Sequence, residues 1–334
     1  MINFKWIKNI IGNPISIERI GPRISFRNSF LIKTTKQCFL LKYYTDPKKM
    51  DRSIYCTNYV KNNSNIISPA IIACNRELNL ILFEFLDGRS LSDILGDKNN
   101  NSIMVNIVQE FGKVVNELHH LDYKKIYNLP TINLKTNLNL EYNKLSILIN
   151  IIHNVLNKLK NDSVDAYKNK TESQINKLIN NVEPFIKKRN RFFSNNAFIH
   201  GDLWSKNVLI KSGSKIEIGL LDFEWSCIGD PVLDIARVYS RGLVSLNVRK
   251  KYQITAPTHL WDAFCFGYGD GDKINMYSLP FIRSFIFTHI RTLNYYGTQI
   301  NLTRNASKNL HALKTIFRIT SALNEYFLQY GITA

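Results

Sequence analysis

Apolar residues recur along this chain with two different periods. Up to Phe85 the apolar runs are short and strand-like: Ile15–Ile20, Ser29–Thr34, Gln37–Tyr44, Ile66–Ala73 and Leu78–Phe85. Gly21-Pro22, Thr35-Lys36 and Asn75-Arg76 mark turns after or between them. Trp6, Ile7, Ile10 and Ile11 have helical spacing, which predicts a short amphipathic segment packed on this part of the chain. Beyond Phe85 the helical period dominates. Ser90 is placed to cap a helix starting at Leu91. Ile107, Phe111, Val114, Val115 and Leu118 share one face of a helix over Ile103–Leu121. Leu138–Leu159 and Ser173–Ile186 predict two further helices, with Asn161–Thr171 as a polar connection. Ala256–Gly269, Leu279–Tyr296 and Thr315–Tyr330 complete the set.

One strand-rich stretch interrupts these helices. Ala197–His200, Val208–Lys211 and Ile216–Leu221 are β-type runs, and Ser212-Gly213-Ser214 signals the turn between the last two. A hairpin of this kind holds Asp202, Asn207 and Asp222 near one another on a rigid base. Two carboxylates and an amide oxygen are hard oxygen donors, suited to magnesium or to a hydroxyl proton. Phosphoryl transfer needs such a set: one group orients the attacking hydroxyl and others hold metal on the phosphates.

The wording His200-Gly201-Asp202-Leu203-Trp204-Ser205-Lys206-Asn207, followed by a strand ending in Asp222-Phe223-Glu224, resembles the catalytic core of the aminoglycoside phosphotransferase and choline kinase-like families. The His200-to-Trp204 segment is also similar to the fructosamine kinase branch. The likeness continues through Gly229-Asp230-Pro231-Val232-Leu233-Asp234-Ile235-Ala236, where Asp230 and Pro231 are placed to start a helix through Tyr239.

The resemblance implies an α+β, two-lobed protein kinase-like fold. A small antiparallel-sheet lobe (1–85) would bind nucleotide. A mainly helical lobe (86–334) would carry the catalytic hairpin 197–225 and the acceptor site. It implies ATP and Mg²⁺ as cofactors and a small-molecule hydroxyl as acceptor, with oligomeric state left open. Asp202 would act as base, His200 would support the loop, and Asn207 and Asp222 would hold magnesium. Asp234 would tie the catalytic loop, and His119, in Glu117-Leu118-His119-His120, would be structural. Lys42, in the run Cys38–Tyr44, would hold the α- and β-phosphates; the alternative is a lysine that merely guards a sheet edge. The Glu84 carbonyl and the Leu86 N–H would read adenine at a hinge between the lobes. Trp204, Glu224 and Trp225 would face the acceptor, with Glu224 alternatively meeting metal through water.

Two departures from the family pattern stand out. The phosphate-covering segment Gly21–Phe30 has one glycine, so Ser25, Arg27 and Asn28 would have to donate in its place, or the segment is an ordinary solvated turn. The helix over Met50–Asn62 lacks the glutamate expected to pair with Lys42, and Asp51 is its only carboxylate. Either Asp51 reaches Lys42 or the lysine is held differently. These departures keep open a catalytically weak pseudokinase or nucleotide-binding scaffold.

Composition narrows the rest. With 334 residues, 45% hydrophobic and 21% charged, the chain has ample material for a core. Its net charge of +18 raises nucleic-acid binding, but the basic residues are dispersed and no specific nucleic acid is expected. The five cysteines lack close pairs, no apolar run reaches spanning length, and the amino terminus has no signal-peptide pattern; a cytoplasmic protein is expected. Beyond Asp234 the only acids are Asp262, Asp270, Asp272 and Glu325, too few to cradle a polycation. A sugar, amino alcohol or related metabolite is therefore expected as acceptor, with an aminoglycoside-modifying kinase as the alternative.

Overall fold

The computed structural model describes residues 4–20, 29–97, 101–125, 129–131, 134–156, 162–187, 196–213, 215–244, 255–269, 274–302 and 306–329. The amino-terminal lobe is a five-stranded antiparallel sheet in the order β1-β2-β3-β5-β4. The strands are β1 (Ser16–Arg19), β2 (Ser29–Lys33), β3 (Cys38–Tyr43), β4 (Ile71–Asn75) and β5 (Leu80–Glu84). The period of two along β3 divides its side chains between two helices. Phe39 and Leu41 join Ile32, Leu80 and Leu82 beneath Ile7 of helix α1 (Phe4–Ile11). Leu40 joins Tyr44, Ile81 and Phe83 against Met50 and Ile54 of α2 (Pro47–Asn63). Lys42 has the parity of Leu40 and Tyr44, so it emerges on the α2 side.

Helix α2 starts where local chemistry dictates. The Asp46 carboxylate accepts the Lys48 N–H at 2.9 Å, and Pro47 occupies the first turn. Strand β4 begins at Ile71 rather than at Ile66. The reason lies in the preceding residues: Ile67 leaves the sheet, bridges Gly219 in parallel and accepts the Leu220 N–H at 2.9 Å. That segment sews the small lobe onto the hairpin of the large one.

In the large lobe, β8 (Val208–Ser212) and β9 (Ile216–Leu220) form the hairpin, and β6 (Arg89–Ser90) pairs with β8. Strand β7 (Ala197–Ile199) pairs instead with β10 (Cys227–Gly229), so the loop His200–Asn207 leaves one small sheet and enters another. The helices are α3 (Leu91–Leu95), α4 (Asn101–His119), α5 (Leu134–Leu156), α6 (Asp162–Lys187), α7 (Val232–Arg237), α8 (Thr258–Tyr268), α9 (Leu279–Leu302) and α10 (Ala306–Gln329). The polar connection expected at Asn161–Thr171 is not a loop: helix begins at Asp162, and Lys168 and Thr171 are buried. Packing of α6 against α10 overrides the polar composition there. No described helix is long and apolar enough to cross a membrane.

Helices α4 and α8 cross at backbone contact distance. A Cβ on Gly267 would lie 1.9 Å from the Gln109 carbonyl oxygen, and one on Gly112 would lie 2.3 Å from that of Phe264. The obstacles are backbone atoms, so no rotamer change relieves them. Gly267→Ala is expected to cost about 3 kcal/mol by forcing the helices apart, read as a lower urea midpoint.

Candidate active site

The loop after β7 is held from below. Asp234, fully buried in the first turn of α7, accepts the N–H groups of His200 at 2.6 Å and Gly201 at 2.8 Å. Behind it, His119 Nε2 lies 3.3 Å from Asp234 Oδ2, and His119 Nδ1 meets the Tyr268 hydroxyl at 2.8 Å. Gly201 has φ of +74°, and a Cβ there would lie 2.3 Å from the Trp225 carbonyl oxygen, so only glycine fits. His200 spends both ring nitrogens on the loop. Its Nδ1 accepts the Asp202 N–H at 3.3 Å, which leaves the proton on Nε2 to donate to the Leu221 carbonyl at 2.9 Å.

Those bonds bring the hairpin acids together. Asn207 Nδ2 donates to the Asp202 carbonyl at 3.0 Å and to Asp202 Oδ2 at 3.2 Å. The Asn207 carbonyl accepts the Leu221 N–H at 2.9 Å, which sets Asp222 beside Asn207 at the mouth of the hairpin. Asp222 has φ of 69° and ψ of 62°, a left-handed conformation that costs a non-glycine residue about 1 kcal/mol or more and concentrates at functional sites. With Nδ2 committed to Asp202, the amide oxygen of Asn207 is the end able to face a cation. Asn207 and Asp222 fit magnesium as a pair of hard oxygen donors that relies on substrate phosphates for the remaining positions. No described group of three or more His, Cys, Asp or Glu side chains forms a protein-only metal cage.

Lys42 reaches across from the small lobe. Its Nζ lies 2.5 Å from Asp222 Oδ1 and 2.7 Å from Glu224 Oε2, and Lys49 Nζ of α2 stands 3.7 Å from Glu224 Oε1. Asp51 pairs instead with Arg76 at 3.1 Å. The carboxylate absent from α2 is therefore supplied by the turn Phe223–Trp225, which packs against that helix. Glu224 thus contacts Lys42, a partner that the sequence did not suggest. Burial works against the charge on Lys42, but Asp222, Tyr44 and Glu224 outweigh it and raise its pKa above the ordinary lysine value.

Three arginines that sequence reasoning did not single out act on Asp202. Arg237, the last residue of α7, makes a short ion pair through Nη2 with Asp202 Oδ1. Burial pushes the Asp202 pKa up, but Arg237, Arg291, His200 and Arg241 outweigh it, and the carboxyl sits below its usual range. Trp204 lies under the Arg241 guanidinium, 5.3 Å away, and near Lys206 Nζ at 5.5 Å. Trp225 is flanked by Lys49 at 3.8 Å and Arg291 at 4.0 Å. A signal for Arg237 and Arg291 was present in the sequence: each is a charge set in an otherwise apolar helical run, three residues after Asp234 or just beyond Phe281–Ile290.

The same arginines act on His289, a fully buried residue of α9 with both ring nitrogens unpartnered. Burial, reinforced by Arg241 and Arg237, lowers its pKa to about 3. Below pH ~6.5 the unfolded chain gains a proton that the folded chain refuses until about pH 3. Stability is thus present above that window and lost as pH falls through it, at about 1.4 kcal/mol per pH unit. Asp230, raised to about 6 by burial, has the opposite sign in part of the range, so the difference between wild type and His289→Leu isolates the histidine. Urea titrations from pH 7 to 4 are expected to show a smaller acid loss in the variant; equal slopes would contradict the assignment.

The remaining expected contacts are less assembled. Ser25, Arg27 and Asn28 lie outside the described residues. Glu84 closes β5 with its N–H on the Ala70 carbonyl at 2.8 Å and its Oε2 accepting the Ala70 N–H at 3.1 Å. Beside it opens a cleft of about 590 Å³ lined by Cys38, Phe39, Ala70, Ile72, Glu84 and Phe85. Leu86 follows, half-buried, in the link to the large lobe.

The phosphotransferase enzyme family model matches residues 16–272. No curated protein sequence matches the chain. Among solved structures, the AMP-bound spectinomycin phosphotransferase is 15% identical, with a TM-score of 0.65 over 95% of this chain and 96% of that one. An ethanolamine kinase from Plasmodium vivax is 16% identical, with a TM-score of 0.61 over 98% and 87%. A choline kinase from Streptococcus pneumoniae is 13% identical, with a TM-score of 0.57 over 96% and 99%. At such identities these structures speak for the fold. Together with the match over most of its length, they show that this chain has the two-lobed protein kinase-like fold and belongs to the phosphotransferase enzyme family.

Proposed function

We propose that the protein transfers the γ-phosphoryl group of ATP to a hydroxyl of a small sugar, amino alcohol or related metabolite. The observation that carries this reading is the convergence of Asp202, Asn207, Asp222 and Lys42, from separate strands and loops, on one site. In the transfer, the acceptor oxygen bonds to the γ-phosphorus as the bond to the β-phosphate bridging oxygen breaks, and ADP departs with that electron pair. Asp202 orients the hydroxyl and takes its proton. Its ion pair with Arg237 makes it a weak base, which suits a loose transition state in which the proton moves late. Asn207 and Asp222 would hold magnesium, which neutralises charge on the phosphates. Lys42 turns from Asp222 to the α- and β-phosphates, while Glu224, itself paired with Lys49, keeps it within reach.

The scaffold reading drew support from the missing helix glutamate. Glu224 on Lys42 supplies that charge from another element, which favours turnover over bare nucleotide binding. Lys42→Met tests the placement. The variant is expected to raise the KM for ATP by about tenfold or more and to lower kcat, because the phosphates lose a fixed cation. Wild-type ATP dependence in that variant would remove Lys42 from the site.

A further inference from the structure

The charge around Asp202 does not balance. Asp222 and Glu224 are matched by Lys42 and Lys49, and Asp234 is taken by the His200 and Gly201 N–H groups and by His119. That leaves Asp202 facing Arg237, Arg241 and Arg291. Arg237 is engaged with Asp202 through Nη2, yet its buried Nε has no hydrogen-bond partner. Arg241 Nη1 bonds only the neutral Thr292 hydroxyl at 3.0 Å, and Arg291 lies on the Trp225 ring at 4.0 Å. Neither Arg241 nor Arg291 has an ion-pair partner among the described residues. The mutual repulsion is felt: Arg237 falls to about 10, through burial first and against the pull of Asp202, with Arg291 and Arg241 pressing the same way.

Like charges held this close destabilise a site unless something bound there compensates them. Arg291 lies over the Trp225 ring and Arg241 over that of Trp204, cation–π contacts that help to position them, and planar guanidinium forks are suited to oxyanions. The hollow between Gly201, Arg237, Thr288 and Arg291 measures about 20 Å³, room for one water-sized group and too small for the acceptor itself. In the proposed transfer the ATP phosphates are held by Lys42 and the hairpin, a separate set of residues.

We infer that the acceptor is itself an acid, a hydroxylated metabolite bearing a carboxylate or phosphate that Arg241 and Arg291 bind while Arg237 stays on Asp202. This rests on the phosphotransferase reading above and narrows its substrate class. Choline, ethanolamine and spectinomycin, the compounds named for the structural neighbours, all carry amines, and a cationic amine is repelled here.

The test uses the full chain with Mg-ADP and calorimetric titration of matched compounds: glucuronate and glucose 6-phosphate against glucose, glycerate against glycerol, and choline. Each acid is expected to bind about tenfold tighter than its neutral counterpart. Arg291→Gln and Arg241→Gln, checked for native thermal unfolding, are each expected to erase most of that preference between an acid and its neutral counterpart. The carboxylate and phosphate arms separate the two acid types. Parallel kcat/KM values with Mg-ATP separate this inference from the reading beneath it. Turnover of choline or neutral sugars with no preference for acids overturns the inference and leaves the phosphotransferase standing. An acid preference in binding without transfer to any compound sustains the arginine site and overturns the transferase. If the glutamine variants slow all acceptors alike, the arginines serve the transferred phosphoryl group and the inference falls.

Discussion

Asp202→Asn is expected to lower kcat by about 10³-fold while the KM for ATP stays within about threefold. The two effects separate because Asp202 pairs with Arg237, whereas the proposed nucleotide side consists of Lys42, Asn207 and Asp222. Asparagine keeps the side-chain shape and the hydrogen bond with Asn207 but cannot take the acceptor proton. Alanine is the less clean variant. Both variants strip the buried Arg237 of its counter-ion, at a cost of about 3–5 kcal/mol, but alanine also deletes the acceptor of the Asn207 amide, so its lost activity would mix further with lost stability. Steady-state kinetics on Asp202→Asn, with unfolding followed in parallel, distinguishes the roles. A fall in ATP affinity equal to the fall in kcat would mean that the residue serves the nucleotide.

Asp234→Ala is expected to remove about 3–5 kcal/mol of stability and most of the activity together. The carboxylate is fully buried and accepts two backbone N–H groups, from His200 and Gly201, with His119 at its back. Removing it strands both donors away from water. It also frees the left-handed turn at Gly201 that aims Asp202, so geometry and stability fail at once. Asp234→Asn tests the charge separately. It keeps one acceptor oxygen but turns an NH₂ toward a donor, and it is expected to lose nearly as much. A change below about 1 kcal/mol in urea unfolding of Asp234→Ala would contradict this role.

Much of this architecture could be read before any coordinates, and the exceptions share a cause. The hairpin was legible because its chemistry is local: Asp202, Asn207 and Asp222 are set by a tight loop, one turn and a strand register. Lys42 was legible because a lysine in a β-rich run has a definite parity relative to Leu40 and Tyr44. The partner of Lys42 was not, because Glu224 reaches it across the cleft from a turn that no periodicity describes. The arginines were missed for a related reason. Arg237, Arg241 and Arg291 gather only when α7, the turn after it and α9 pack together, and each alone reads as a helix charge. Strands β6 and β10, of two and three residues, are below the length at which alternation is visible, and tertiary pairing alone defines them. The first ten residues of α6 look polar because their helical state depends on packing against α10.

The central claim is that this site moves a phosphoryl group to a small-molecule hydroxyl. Incubating the purified chain with γ-labelled ATP, magnesium and the acid, neutral and amine acceptors tests it most directly, with labelled products resolved by mass spectrometry. The account predicts label on an acceptor oxygen in step with ADP formation, dependent on magnesium and abolished in Asp222→Ala. Nucleotide binding with no labelled acceptor across the whole set would contradict it.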